Sequence, residues 1–535
     1  MKKFVVFSLT GLLIMALSAT VYAQKLEFRA SGYLDVLSIM TRNVPEHPYE
    51  TSGNFYGNPF GAGGQRLYPP VPGAVTTDAA GGAFDRKRAY MESRCRLKFD
   101  AIMSPNLMGT IWLEIDSLRW GERTSGYGGS INDQRQNAGA WGADAGAVEV
   151  KNLNITFGVP GIPIPVQVVA GITPMAYRPH ILAYVDATGI ETRIKLDPVN
   201  IKLSWFKALE NQDYSADDVD FYGGDISAKV GPMTIGGFAL HMNANTYPFP
   251  NATVYTLTAA GALTAATTTP IVNNQAQMTW LGLYADGKLG PVTVNFDLVF
   301  NTGKVEDHRD VAAAALFRDV DYRGWATMLQ LDYPWEKFNF GLIALYASGA
   351  DADDTFATGL PGTVPPGAAA GVTSDKVGAY MVVPGAEVGV NDMSMVFYGT
   401  GAVGVTRGAG SGYLGLARGQ IGGTWAAKLY GSYKATPWYK IILQGLYIGD
   451  TTANGNTVGT ARVAPYGAGD LRNDKTIGWE LDMINEIQVY KNLKFFLAGG
   501  ILFPGDAMEY YVNDTNRSVS PKNPWAIYTK LAYSF

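Results

Sequence analysis

The stretch from Arg86 to Trp120, RKRAYMESRCRLKFDAIMSPNLMGTIWLEIDSLRW, decides the fold class of this chain. Polar side chains share one face of each half of the stretch, and the opposite face is mainly apolar. The charged residues on the polar face are Arg86, Arg88, Glu92, Arg94, Arg96 and Lys98 in the first half and Glu114 and Asp116 in the second. A period of two predicts β-strands, so we expect a hairpin that turns at residues 104–106.

The charges of this hairpin predict contacts between its strands. We expect a register in which Arg94 lies opposite Glu114 and Glu92 lies opposite Asp116. A hairpin cannot bury its apolar face alone, so that face must meet other strands or a membrane.

The first residues predict export from the cytoplasm. Residues 1–23 begin with Lys2 and Lys3, continue with an apolar run and end in Val21-Tyr22-Ala23, the pattern of a cleaved signal peptide. The apolar run is shorter than the ~20 residues that a spanning helix needs. We therefore expect a signal peptide over 1–23 and a single mature domain over 24–535, without a transmembrane helix.

Composition excludes several classes of protein. The formal net charge of −5 argues against a nucleic-acid binder, and loss of the two signal-peptide lysines makes the mature chain more acidic. Cys95 is the only cysteine, so an intrachain disulfide cannot form. The 63 glycines and 30 tyrosines suit strands, turns and interfacial aromatic residues better than helices.

The pattern of the opening hairpin recurs along the chain in eighteen candidate strands. They are residues 26–39, 86–100, 107–120, 146–158, 165–176, 189–196, 199–209, 219–230, 233–243, 275–287, 292–302, 321–333, 338–348, 421–434, 439–449, 475–490, 493–502 and 525–535. Short and long connections alternate between them, as in outer-membrane barrels with short periplasmic turns and long extracellular loops. The sequence therefore predicts an all-β protein, a transmembrane antiparallel β-barrel of about 18 strands (16–20).

Aromatic residues flank the short turns. Tyr333, Trp335 and Phe338 surround one turn, and Tyr433, Trp438 and Tyr439 surround another. Aromatic side chains concentrate where a membrane meets water, so we interpret these residues as an interfacial girdle.

The last strand, NPWAIYTKLAYSF, sets Tyr533 and Phe535 on the same face as Trp525, Ile527 and Leu531. In this pattern the chain resembles bacterial outer-membrane porins, whose final strand ends in Phe and serves as the assembly signal. The resemblance implies insertion by the barrel-assembly machinery and contact with outer-membrane lipid and lipopolysaccharide. It further implies a homotrimer and a water-filled channel for passive diffusion of small hydrophilic solutes or ions.

The inward faces of such a barrel become the wall of the pore, because about eighteen strands enclose more space than side chains fill. The basic face of the second strand resembles the cationic wall of general porins. Acidic candidates for an opposing wall are Glu480, Asp482 and Glu486 on strand sixteen, with Asp297 on strand eleven as a weaker one. Two interpretations remain open: the charges filter ions, or they brace the barrel.

A constriction requires a loop that folds inward, and general porins use the loop after their fifth strand. That loop is short here, which departs from their pattern. Better candidates are residues 349–420, which include the apolar run VVPGAEVGVNDMSMVFYG, and residues 40–85. Alternatively, residues 349–420 form an additional hairpin, which would raise the strand count to twenty.

Other functions have less support. The four histidines, His47, His180, His241 and His308, fall in no recognisable catalytic pattern, so we expect no enzyme. Asp-rich segments near residues 213–220 and 351–354 lack the spacing of a calcium loop, and neither a metal nor a cofactor is predicted. The alternative function is a barrel sheath or scaffold around a partner protein, such as an electron-carrying cytochrome.

Overall fold

The computed structural model describes residues 26–43, 87–121, 148–210, 217–245, 251–257, 263–270, 274–307, 319–354, 374–386, 393–399, 421–459, 461–463, 471–512 and 517–535. The predicted signal peptide and Arg86 lie outside the described residues. Among the residues described, no helix is long and apolar enough to cross a membrane.

Eighteen strands form the wall of the molecule. They are β1 Glu27–Arg42, β2 Lys87–Ser104, β3 Leu107–Arg119, β4 Glu149–Gly158, β5 Val166–Tyr177, β6 Ala183–Leu196, β7 Val199–Leu209, β8 Val219–Val230, β9 Met233–Ala244, β10 Asn274–Leu289, β11 Val292–Asp307, β12 Val320–Trp335, β13 Phe338–Ala347, β14 Thr424–Thr436, β15 Tyr439–Asp450, β16 Thr476–Tyr490, β17 Leu493–Pro504 and β18 Trp525–Ser534.

Every strand pairs antiparallel with its neighbours along the chain, and β18 pairs with β1, so the sheet closes on itself. The prediction of a closed antiparallel barrel of eighteen strands is confirmed. Each predicted segment corresponds to one barrel strand. The largest difference is at β6, which begins at Ala183 rather than at residue 189.

Connections differ at the two ends of the barrel. Two residues join β2 to β3, β6 to β7, β8 to β9 and β12 to β13, whereas much longer segments join strands at the other end. Both ends of the described chain lie at the end with the short turns. A short hairpin, Asn251–Leu257 with Leu263–Pro270, belongs to the β9–β10 connection and not to the barrel sheet.

The outward face is an apolar belt between aromatic residues. Leu283, Leu429 and Leu443 are 60%, 67% and 55% exposed, which is unusual for leucine in a water-soluble protein. Trp335 stacks on Phe338 near the short turns at 5.9 Å between ring centroids, and Phe338 stacks on Tyr433 at 4.7 Å. The predicted girdle residues are therefore outward and clustered, with Tyr439 the most covered of them.

The last residue of the chain closes the seam between β18 and β1. The Phe535 backbone N–H donates to the Gly32 carbonyl at 3.0 Å, and the Gly32 N–H donates to the Phe535 carbonyl at 2.8 Å. The Phe535 ring covers Gly32 so closely that a Cβ at position 32 would lie 2.2 Å from the ring. A side chain at position 32 would therefore force the Phe535 ring out of this position.

Candidate functional site

The inward face of the barrel changes character along the barrel axis. Near the short turns it carries partly exposed polar side chains, namely Lys98, Asp100, Asn154, Lys202, Asp225, Asp332, Asn339, Glu486 and Lys494. Towards the long loops it carries buried apolar side chains, including Met175, Phe206, Leu240, Met278, Trp280 and Met328. The described interior therefore has a polar vestibule at the short-turn end and apolar packing at the other end.

Glu114 is the centre of the basic cluster on β2 to β4. Its Oε1 lies 3.0 Å from Arg94 Nε and 3.0 Å from Arg96 Nη2, and its Oε2 lies 2.9 Å from Lys151 Nζ. Lys151 also binds Asp186 at 2.6 Å. Only 2% of the Glu114 side chain is exposed, so the carboxylate is held by cations rather than by water.

The register of this hairpin differs from the predicted one. Glu114 lies opposite Arg96, and Glu92 lies opposite Arg119, so neither predicted facing pair is formed. The turn contains only Pro105 and Asn106, and the pairing shifts twice, first between Ile102 and Ser104 and again between Ser93 and Cys95. Such irregularities insert a residue into one strand and change its facing partners. Arg94 lies within the second shift and still reaches Glu114 from a diagonal position.

The remaining predicted residues of this face have different surroundings. Lys98 pairs with Asp100 at 3.1 Å, and its side chain is 36% exposed. Glu92 is buried. Arg88 and Asp116 belong to β2 and β3, but their side chains are outside the described set. Exposure therefore rises along β2 from Glu92 towards the short-turn end, where Lys98 meets the vestibule.

The short β5–β6 loop folds into the barrel, although its length argued against it. Arg178 donates from both terminal nitrogens to Asp286, at 2.6 and 2.8 Å, and from Nε to Asp297. His180 Nε2 lies 2.6 Å from Asp297 Oδ2, the oxygen that Arg178 does not contact. The Asp297 side chain is completely buried. Arg178 has a φ of 44°, a conformation that reverses the chain direction at this point. Charge pairing on β10 and β11 draws the loop inward.

The Arg178 guanidinium keeps its positive charge although it is buried. Burial opposes its charge, but the hydrogen bonds to Asp286 and Asp297 outweigh that cost and raise the pKa of the guanidinium. The guanidinium also lies 4.5 Å from the ring centroid of Tyr284. Asp297, predicted only as a weaker member of the pore wall, thus serves as an anchor for a loop.

Part of the long β13–β14 connection also lies inside the barrel. Tyr380, Met381 and Val383 are buried, and Trp280 Nε1 on β10 donates to the Met381 carbonyl at 2.7 Å. The Met381 N–H donates to Asn301 Oδ1 on β11 at 3.0 Å. The prediction that residues 349–420 pack against the wall is confirmed for this part. The other candidate, residues 40–85, lies outside the described residues from position 44 onward.

The two inward segments hold each other. The Tyr380 hydroxyl donates to the Ile181 carbonyl at 3.0 Å, and the Val383 N–H donates to the Leu182 carbonyl at 3.3 Å. Burial raises the pKa of the Tyr380 hydroxyl, so it remains a donor at neutral pH. Segments from two different loops therefore form one packed unit inside the barrel.

The acidic residues of β16 divide between the two halves of the interior. Glu480 and Asp482 are buried, at 0% and 4% exposure, beneath residues 393–399 of the same long connection. Glu486 lies in the vestibule and contacts Lys494 at 2.7 Å and Lys440 at 3.4 Å. We expected all three on an acidic wall open to the lumen. Two of them instead face the loop, because its backbone N–H groups need acceptors there.

Within the described part of the chain, no group of three or more His, Cys, Asp or Glu residues could hold a metal ion. Of the acidic loop near β8, Asp218 and Asp220 pair with Lys207 at 2.9 and 3.4 Å. That loop is therefore partly neutralised by a lysine from the wall.

Comparison with protein-family models and with curated protein sequences finds no match. Solved structures similar to this chain include Pseudomonas aeruginosa OccK2 (OpdF) in complex with glucuronate and P. aeruginosa OpdQ. Each is 10% identical, with 95% of this chain and 98% of the other covered, at TM-scores of 0.46 and 0.45. P. aeruginosa OpdK with vanillate is 11% identical, with 95% of this chain and 98% of the other covered, at a TM-score of 0.44.

This chain has the architecture of a bacterial outer-membrane porin. That statement rests on the number of strands, the closure of the sheet and the apolar outward belt. The similarity to the solved structures is too distant to support it, or to support any statement about solutes. Sequence reasoning missed Arg178, Lys151 and Asp286. The inward position of Asp286 follows from the period of two, but nothing in the sequence indicates that Arg178 reaches β10.

Proposed function

We propose that this chain forms a water-filled channel in the cell outer membrane for passive diffusion of small hydrophilic solutes or ions. The observation that carries the proposal is the contrast between the two faces of the closed wall. Its outward face is an apolar belt, and its inward face near the short turns is lined with partly exposed charged groups. A barrel of this strand number suits an aqueous pathway across a membrane.

The inward segments would form the constriction of this channel. Residues 178–182 and 379–383 contact each other and the wall of β10 and β11, so a solute would have to pass beside them. The partly exposed Lys98 and Arg96 are then the cations that a passing ion meets first. Arg94 and Lys151, which are more deeply buried on Glu114, serve to brace the wall.

The proposed partners follow from the outward face and the last strand. Tyr533 on β18 and Phe535 directly after it are outward and partly exposed, as an assembly signal read by the barrel-assembly machinery must be. The apolar belt would contact lipid, and the loop end would contact lipopolysaccharide. The exposed Ala89 on β2 leaves room for a neighbouring barrel in a homotrimer. A monomeric mass from light scattering in mild detergent would dismiss the trimer.

The alternative of a sheath around a partner protein is disfavoured by the occupants of the interior. Segments of the chain itself pack inside the barrel, and their buried residues Leu182, Val382 and Phe397 belong to one apolar cluster with residues of the wall. A partner polypeptide would have to displace them.

Liposome swelling tests the proposal. Vesicles that contain the purified protein should swell in isotonic solutions of small sugars or amino acids, at rates that fall as solute size rises. Vesicles with heat-denatured protein are the control. If the folded protein gives no more swelling than this control for any solute, the chain does not form a diffusion channel.

A further inference from the structure

A seven-residue segment, MSMVFYG at residues 393–399, crosses the interior beside β16, and we refer to it as the strap. Its side chains are almost completely inaccessible to solvent, and Met395, Val396 and Phe397 are each 0% exposed. The strap has no strand partner in the barrel sheet among the described residues. Its apolar side chains pack in the core, while its backbone N–H groups need acceptors other than a neighbouring strand.

One carboxylate supplies most of the polar contacts of the strap backbone. Glu480 Oε1 accepts hydrogen bonds from the N–H groups of Met395 and Val396, each at 2.7 Å. Glu480 Oε2 accepts a third from Phe397 at 2.9 Å. Three consecutive backbone N–H groups converge on one side chain, which is completely buried.

The need for this contact is mutual. A buried carboxylate is tolerated only when donors replace its lost hydration, and buried N–H groups are rarely left without an acceptor. Asp482, two residues along β16, also accepts a bond from the Met395 N–H, at 3.3 Å, while Gln444 donates to the same oxygen at 2.6 Å. The buried Lys428 interacts with Asp482. Two carboxyl groups thus face the strap, and its amide dipoles complement the negative charge of Glu480.

Hydrogen bonds between neutral groups also involve the strap. The Tyr398 N–H donates to Ser394 Oγ at 2.8 Å, which shapes the strap but does not attach it to the wall. The Tyr398 hydroxyl donates to Thr424 at 3.0 Å, and Tyr528 reaches the Met395 carbonyl at 3.4 Å. These are single bonds between neutral groups, which are weaker than bonds to a carboxylate.

We propose that Glu480 is a positioning residue that fastens the strap across the interior, and that release of the strap from Glu480 widens the conducting path. This inference rests on the proposed channel function, because it concerns how far that channel is open. Without the Glu480 charge, the three buried N–H groups lose a charged acceptor, which weakens the attachment of the strap and raises the population of a displaced state.

Single-channel recording tests the effect on the path. Glu480→Gln removes the charge, keeps the size of the side chain and presents an NH₂ group to strap donors. We expect a larger unitary conductance and more frequent transitions between conductance levels than in the wild type. Glu480→Asp keeps the charge and should remain closer to the wild type.

A matched control is present on the neighbouring strand. Asp450 is also buried and also accepts backbone N–H groups of a loop, from Thr452 at 2.7 Å and from Thr457 at 2.6 Å, but it does not contact the strap. Asp450→Asn should therefore leave the conductance unchanged. Equal conductance of the wild type and Glu480→Gln, or an equal increase in both variants, would overturn the inference.

Thiol labelling reads the position of the strap without any need for conduction. Cys95→Ala removes the only cysteine, and Val396→Cys then introduces a buried thiol into the strap. In the folded protein, Glu480→Gln should raise the rate of its reaction with a charged methanethiosulfonate reagent at least about tenfold, because the rate follows the population of the open form. Asp450→Asn should not.

The two readouts separate the inference from the proposed function. If the wild type does not conduct but labelling accelerates in Glu480→Gln, the channel function fails and Glu480 still fastens the strap. If the wild type conducts and the thiol stays protected in Glu480→Gln, the channel stands and the inference is wrong. Circular dichroism of each variant confirms that the barrel has folded.

Discussion

At the scale of single residues, Glu114 is the shared partner of several cations. It binds Arg94, Arg96 and Lys151 at once, within a wall whose other face is apolar. The sequence shows that cations and carboxylates share one face of β2 and β3. It cannot show which of them meet, because a shift of one or two residues in pairing changes every facing partner.

Loss of Glu114 should be more harmful than loss of any one of its cations. Glu114→Ala leaves three cations close together without a counter-charge, and we expect the free energy of unfolding to fall by about 3–5 kcal/mol. Arg94→Ala leaves Glu114 with two partners and should cost about 1–2 kcal/mol. Urea unfolding of the barrel in lipid vesicles measures both. Equal losses would mean that Glu114 is not the centre of the cluster.

The exposed fraction of each cationic side chain also predicts how strongly it affects the ion selectivity of the channel. Lys98 is 36% exposed, against 17% for Arg94, so its charge meets more of the aqueous path. We expect Lys98→Ala to shift the reversal potential in a salt gradient towards cation preference, and Arg94→Ala to shift it less. The shift should shrink in concentrated salt, because screening shortens the range of a fixed charge. A larger shift for Arg94→Ala would reverse this assignment.

The β5–β6 loop is the element that the sequence described least well. Its side chains carry no periodic pattern, and its inward course depends on the contacts of Arg178 with β10 and β11, far away along the chain. Strand periodicity reports only local exposure, so a loop held by distant ion pairs cannot be recognised from it. The inward position of the long β13–β14 connection was easier to predict from the sequence, because its apolar run indicated burial.

Arg178 should be replaceable by no other residue, lysine included. Its planar guanidinium binds Asp286 through two nitrogens and Asp297 through a third, whereas a lysine is a single point charge. We expect Arg178→Lys and Arg178→Ala both to expose the β5–β6 loop to cleavage by chymotrypsin, for which Leu182 is a candidate site, in folded protein. Arg193→Ala is the control, since that side chain is 49% exposed. Unchanged protection of the loop in both Arg178 variants would contradict the anchor role.

The seam between β1 and β18 is the second element that can be tested. Gly32→Val would place side-chain atoms where the Phe535 ring lies, and loss of Phe535 would remove both backbone bonds to Gly32. Both changes should reduce the amount of heat-modifiable barrel in outer-membrane fractions. Gly109→Val, at an open position of β3, should have a much smaller effect. Normal levels of both seam variants would show that the seam is not needed for assembly.

At the scale of the whole molecule, the barrel could be predicted because its signals are local and repeated. Alternation along each strand predicted all eighteen segments, and the contrast between short and long connections predicted which end of the barrel carries the turns and which the long loops. The contents of the interior were predicted only in part. Residues 379–383 lie where their apolar character suggested, but the burial of Glu480 depends on N–H groups of a loop, which no side-chain pattern reveals.

The unitary conductance of the purified wild-type protein in a planar lipid bilayer tests the central claim most directly. If the closed wall surrounds an aqueous path, single insertions will give discrete current steps that grow with salt concentration, and a salt gradient will give a finite reversal potential. Protein that folds and inserts but adds no steps above the bare bilayer, at any applied voltage below membrane breakdown, would contradict the account.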